Sequence, residues 1–197
     1  MIEVEDCKNY KNSIILPNPI TQVASMANPL FLSLQGKYFV GYADNMEFES
    51  GNIAWAGLIN PPNSGVNLFA FVWTVTNIGE APLIARVWVN ATPPSTPTKS
   101  EFVTPANTAI HPLPVPKVLL LQGNNALSEP EDGTNVYVRE VNPEVTIASD
   151  ENGRLIFPPG GSLIVTISYP KGTIGTGMGR VAFGWSEEKT NENRRCL

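Results

Sequence analysis

The sequence predicts an all-β protein, an antiparallel two-sheet β-sandwich of jelly-roll type with an extended N-terminal arm, and three observations predict it. Apolar runs of strand length recur between turn signals. No stretch holds a 3.6-residue period over a dozen positions. Proline and glycine punctuate the runs instead of replacing them. The 197 residues, 42% apolar, suffice for one sizeable core. One sandwich is therefore expected over residues 20–188, preceded by an arm of residues 1–19 and followed by a polar tail of residues 189–197.

The arm is polar and acidic until Ile14, Ile15 and Leu16, which precede Pro17 and Pro19. Prolines at alternate positions favour extended backbone, so this is read as a connector strand, not a helix. Apolar runs then follow at 29–34, 37–43, 53–59, 66–76, 83–91, 118–121, 136–141, 145–148, 155–157, 163–169 and 180–185, all of strand length. Several alternate: Val136 and Val138 lie on one face, Tyr137 and Arg139 on the other. The run from Val66 to Val75 is apolar on both faces and reads as a central, covered strand. Asn152-Gly153 between two runs predicts a tight hairpin, because both residues tolerate positive φ. Residues 92–117 hold seven prolines and read as a long crossing loop with one short strand near 108–111.

The net charge of −5 and isoelectric point near 4.9 argue against a nucleic-acid partner, which needs clustered Lys and Arg. No apolar run approaches the ~20 residues that span a bilayer, so no membrane partner is expected, and the acidic start Met1-Ile2-Glu3 is unlike a signal peptide. Charge is sparse through the middle: between Gly51 and Ser128 only Glu80, Arg86, Lys99, Glu101 and Lys117 carry it. Either both faces of those strands are covered, or part of their surface meets another subunit.

No catalytic site, cofactor or metal centre is expected. The one histidine, His111, has no sequence-evident partner, and a single histidine with two distant cysteines cannot form a zinc site of usual spacing. The glycine-rich stretch from Gly172 to Gly179 lacks the lysine of a phosphate loop and runs into a strand. The carboxylates Glu129, Glu131 and Asp132, and Asp150 with Glu151, lack calcium-loop spacing. Trp55, Trp73, Trp88 and Trp185 all sit in strand runs. Core packing is the commoner fate of such residues, and a shared exposed face that stacks on a glycan is the alternative.

Cys7 and Cys196 lie in the polar ends, where buried structural thiols are not found. They are read as free thiols or as cysteines that oxidise with neighbouring copies, so that inter-subunit disulfides join a head-to-tail chain; a bridge between the two within one chain, closing a very long loop, is the remaining alternative.

The segments Pro29-Leu30-Phe31-Leu32-Ser33-Leu34-Gln35-Gly36-Lys37-Tyr38-Phe39-Val40-Gly41, Ala54-Trp55-Ala56-Gly57-Leu58-Ile59-Asn60-Pro61-Pro62, Pro158-Pro159-Gly160-Gly161-Ser162 and Gly179-Arg180-Val181-Ala182-Phe183-Gly184-Trp185 resemble an uncharacterised domain family of spore-forming firmicute bacteria. That resemblance implies no activity. In plan alone the chain also resembles jelly-roll subunits of bacterial endospore appendages, whose N-terminal connector enters a neighbour and is locked by disulfides. Those connectors carry paired cysteines, whereas here Cys7 stands alone.

The expected function is that of a self-assembling structural subunit of a surface or spore-associated fibre, with itself as partner, and not an enzyme. A module that binds carbohydrate or a cell surface is the alternative, and a cupin-like enzyme is disfavoured because that fold's metal-binding histidines are missing. An extracellular or spore-surface address without a classical signal peptide is expected, with a cytoplasmic one as the alternative.

Overall fold

The first element corrects the reading of residues 29–34 as a strand. In the computed structural model, which describes residues 26–190, Asn28–Leu34 is a short helix, α1. Pro29, in its first turn, is pre-set for helical φ. The helix closes where Gly36, at φ 69°, donates to the Ser33 carbonyl (3.0 Å) and Lys37 N–H donates to that of Leu32 (2.9 Å). A proline at the start and a left-handed glycine at the end thus turn a strand-length apolar run into a helix.

The strands that follow are β1 (Tyr38–Glu49), β2 (Ile53–Ile59), β3 (Val66–Asn77), β4 (Leu83–Val89), β5 (Thr98–Lys99), β6 (Val103–Pro105), β7 (Leu119–Ala126), β8 (Thr134–Val141), β9 (Thr146–Phe157), β10 (Ser162–Ser168) and β11 (Thr176–Lys189). They form two antiparallel sheets, in the orders β6-β1-β11-β3-β9 and β5-β7-β2-β10-β4-β8. With β5, β6 and β7 set aside as insertions between β4 and β8, the remaining eight strands run 1-8-3-6 in one sheet and 2-7-4-5 in the other. That order is the jelly roll.

Two expected elements are redrawn. Runs 145–148 and 155–157 belong to one strand, β9, and Asn152-Gly153 makes a bulge within it instead of a hairpin between strands. Ala70 pairs with Leu155 and Val72 with Asp150, so Glu151, Asn152, Gly153 and Arg154 together stand opposite Phe71. The turn chemistry is as read, with φ 50° at Asn152 and 73° at Gly153; pairing of both flanks with β3 keeps them in one strand. In the crossing loop, the short strands lie at β5 and β6, not near 108–111.

The main core lies between the sheets, around Phe48, Leu58, Leu68, Trp73, Leu163 and Trp185. A second cluster of Ile53, Trp55, Ala91, Ala126 and Ile164 lies apart from it. There the connections after β4 and β7 lie over the outer face of the six-stranded sheet: Trp55 Nε1 donates to Ser95 Oγ (2.9 Å), and Thr92 bridges Glu131. The sparse charge of the middle of the chain is accounted for in part by this cover, since β2 and β10 are buried on both faces by the chain itself.

One carboxylate anchors the crossing loop as it re-enters the sandwich. Glu187, 8% exposed, accepts from the backbone N–H groups of Lys117 (3.0 Å) and Val118 (3.0 Å) and from Trp185 Nε1 (3.2 Å). Hydrogen bonds to a buried charge are the strong kind. Replacing Glu187 by Ala is expected to lower unfolding free energy by about 2–4 kcal/mol, measured by urea titration, with Glu187→Gln losing less.

Candidate functional site

Among the described residues there is no group of three His, Cys, Asp or Glu able to hold a metal ion. His111 sits exposed in a turn. The glycine-rich stretch enters β11, and Gly177 is required there because a Cβ would lie 2.2 Å from the Phe48 ring. Glu129 is engaged by its own chain, 3.5 Å from Arg86 and accepting from Thr166 at 3.3 Å. Three of the four tryptophans, Trp55, Trp73 and Trp185, are fully buried. Only Trp88 is half-buried, so these residues offer no shared stacking face.

What the fold does present, among the described residues, is one closed flank, one open flank and one uncovered face. On the closed flank the edge of β1 is satisfied almost along its length. Strand β6 pairs with Phe39, Val40 and Gly41, and Tyr42 N–H donates to the Phe102 carbonyl (3.1 Å). Ser100 Oγ donates to the Tyr42 carbonyl (2.7 Å). Further on, Gln122 Nε2 and Asn124 Nδ2 reach from β7 to the carbonyls of Asp44 (3.4 Å) and Asn45 (3.1 Å), while Glu49 N–H donates to Asn125 Oδ1 (2.8 Å). Amide side chains of one sheet thus cap the edge of the other.

The open flank carries the edges of β8 and β9. The gap between the sheets is plugged there by Glu151, 2% exposed, which accepts from Ser149 Oγ (2.7 Å), Trp73 Nε1 (3.1 Å) and Tyr137 Oη (3.5 Å). The Arg139 guanidinium lies 5.2 Å from the Tyr137 ring centre and covers it from outside. Outward of this plug, Val136 and Val138 stand 39% and 52% exposed on either side of Tyr137.

The uncovered face belongs to the five-stranded sheet. Val40, Tyr42, Val72, Thr74 and Ala182 floor a shallow apolar groove of about 570 Å³, walled by Phe102, whose ring stacks on Tyr42 at 4.6 Å. At one end of the same face, burial and then the Asp150 charge push the Tyr38 phenol up, while Phe71 packs edge-on against its ring at 5.2 Å. Toward the other end, Arg180 pairs with Asp44.

Against this geometry, a family model matches residues 12–192 and is described as a family of unknown function, DUF6143. The chain belongs to that family. No curated protein and no solved structure matches it. The DUF6143 match takes in Ile14, Ile15 and Leu16 as well as the sandwich. These three residues, with Cys7 and Cys196, lie outside the described residues. The residues missed by sequence reasoning are the amide caps Gln122, Asn124 and Asn125 and the plug Glu151. Nothing in their local sequence marks a residue that caps a strand in the opposite sheet.

The hydrogen bond from Arg180 holds the Asp44 carboxyl below its ordinary range, helped by the Asn45 N–H and opposed by burial. The stabilisation from this pair is therefore present above the ordinary aspartate range and lost as pH falls through the lowered value. An NMR titration is expected to place the Asp44 midpoint below that of a free aspartate, and Arg180→Ala to return it upward. An unchanged midpoint in that variant would contradict the assignment.

Proposed function

We propose that this chain is a structural, self-assembling subunit of a bacterial surface or spore-associated fibre. Each copy's connector strand, Ile14, Ile15 and Leu16, adds to the sheet edge of the next copy, and disulfides from Cys7 and Cys196 lock the joint. The observation that carries this reading is the asymmetry of the flanks. One flank is capped by short strands and amide side chains, while on the other two long strands, β8 and β9, end their sheets with no further strand beside them among the described residues. An unprotected edge is a template for another strand. One acceptor edge and one donor arm per copy make a heterologous contact, which repeats into a filament or closes into a ring.

Residues of the interior support a scaffold more than a catalyst. The buried carboxylates Glu151 and Glu187 have their donors supplied by the fold itself. A chemical role would need a group left free to act on a substrate. The spore-associated address and the fibre form extend the likeness to appendage subunits and rest on it.

Electron microscopy of the full chain after oxidation is expected to show extended or ring assemblies. Non-reducing gels are expected to show a ladder that collapses with reductant. Deleting residues 1–18 is expected to leave the β-rich circular dichroism spectrum and abolish the assemblies. Uniform 21.4 kDa monomers from the oxidised full chain would overturn the reading.

A further inference from the structure

We infer that the acceptor is the edge of β8, and that the segment received there is residues 12–16 of a second copy. This rests on the assembly reading above and narrows it to one of the four sheet edges.

Elimination comes first. Edges β5 and β6 are two and three residues long, too short to template a strand, and the backbone beyond β6 is already capped by Ser100, Gln122, Asn124 and Asn125. Edge β9 is broken midway by its bulge. Asn152 N–H turns back to Asp150 Oδ1 (3.0 Å), and Arg154 folds onto the carbonyls of Glu151 (2.9 Å) and Asp150 (3.0 Å). A bulge bearing charged side chains is a known device against edge pairing. Edge β8 is also bulged, at Val136 between the Val87–Tyr137 and Trp88–Asn135 pairs, and Arg139 Nη1 donates to the Val138 carbonyl (3.2 Å). What sets it apart is charge: its bulge bears no charged side chain, Thr134 to Val138 are all uncharged, and Val136 and Val138 stand exposed.

The donor fits what this edge lacks. From Asn12 to Gly36 the chain carries no charged residue, and Lys11 and Pro17 bracket the five residues Asn12, Ser13, Ile14, Ile15 and Leu16. Pro17 cannot donate to a ladder, so an added strand stops at Leu16. Residues Thr134, Asn135, Val136, Tyr137 and Val138 offer an edge of the same length. The two-residue spacing of Ile14 and Leu16 equals that of Val136 and Val138, which puts apolar pairs on one face of the extended sheet. The added strand lies in the plane of the six-stranded sheet and does not enter the core, because Tyr137 and Glu151 already fill the gap between the sheets. So short a ladder is weak alone, which gives the cysteines a reason to lock it.

The test is made in the full chain. With Val136→Lys and Val138→Lys together, both at exposed positions, the circular dichroism spectrum and melting temperature should stay near those of the parent. Assembly, read by light scattering, should fall at least tenfold. In a second experiment Cys7 and Cys196 are replaced by Ser. Ile14→Cys paired with Val138→Cys should then give interchain disulfide dimers on non-reducing gels, and Ile14→Cys paired with Ala148→Cys on β9 should not. If assembly requires residues 1–18 but survives the lysines, or if only the Ala148 pairing cross-links, the β8 assignment is wrong and the assembly reading stands. If deleting residues 1–18 leaves assembly unchanged, the assembly reading itself fails.

Discussion

Every backbone N–H and C=O along a sheet edge needs a partner, and how this sandwich meets that requirement organises the rest of the molecule. A jelly roll has four edges because neither sheet closes on itself. Here the insertion between β4 and β8 serves one flank: it contributes β5, β6 and β7, and through Gln122, Asn124 and Asn125 it caps the opposite sheet as well. The same insertion shields Trp55 on the outer face of the six-stranded sheet. The other flank receives no such service among the described residues, and β8 carries the exposed Val136 and Val138 there.

Two buried carboxylates make this division of labour stable. Glu187 ties the re-entering loop at Lys117 and Val118 to β11, so the insertion is anchored at the point where β7 begins. Glu151 plugs the mouth between β8 and β9 with donors from Trp73, Ser149 and Tyr137. Both are charges that would be costly to bury unpaired, and both are surrounded by donors the chain itself provides. The mouth of the open flank is therefore filled, while β8 and β9 end their sheets there among the described residues. That combination suits the addition of a strand alongside the sheet better than insertion between the sheets.

Much of the fold was legible because strands announce themselves by run length and alternation. The run 53–59 is β2 to the residue, and β3, β4 and β8 differ from their runs by a few positions at their ends. The failures share one cause: local signals compete with pairing that sequence does not display. An apolar run became α1 because Pro29 and Gly36 bracket it, and Asn152-Gly153 turned inside a strand because both flanks pair with β3. The candidate site was half legible. Alternation about Tyr137 marked Val136 and Val138 as one face of a strand, but that β8 is an edge follows only from strand order. The covering of β2 and β10 by loops was likewise one of two readings that sparse charge allowed.

Amide hydrogen exchange, compared between the oxidised assembled chain and the chain lacking residues 1–18, tests the central claim most directly. The account predicts that Thr134 to Val138 gain protection on assembly while the capped edge of β1 exchanges alike in both. Equal exchange along β8 in the two preparations, with protection appearing elsewhere or nowhere, would contradict it.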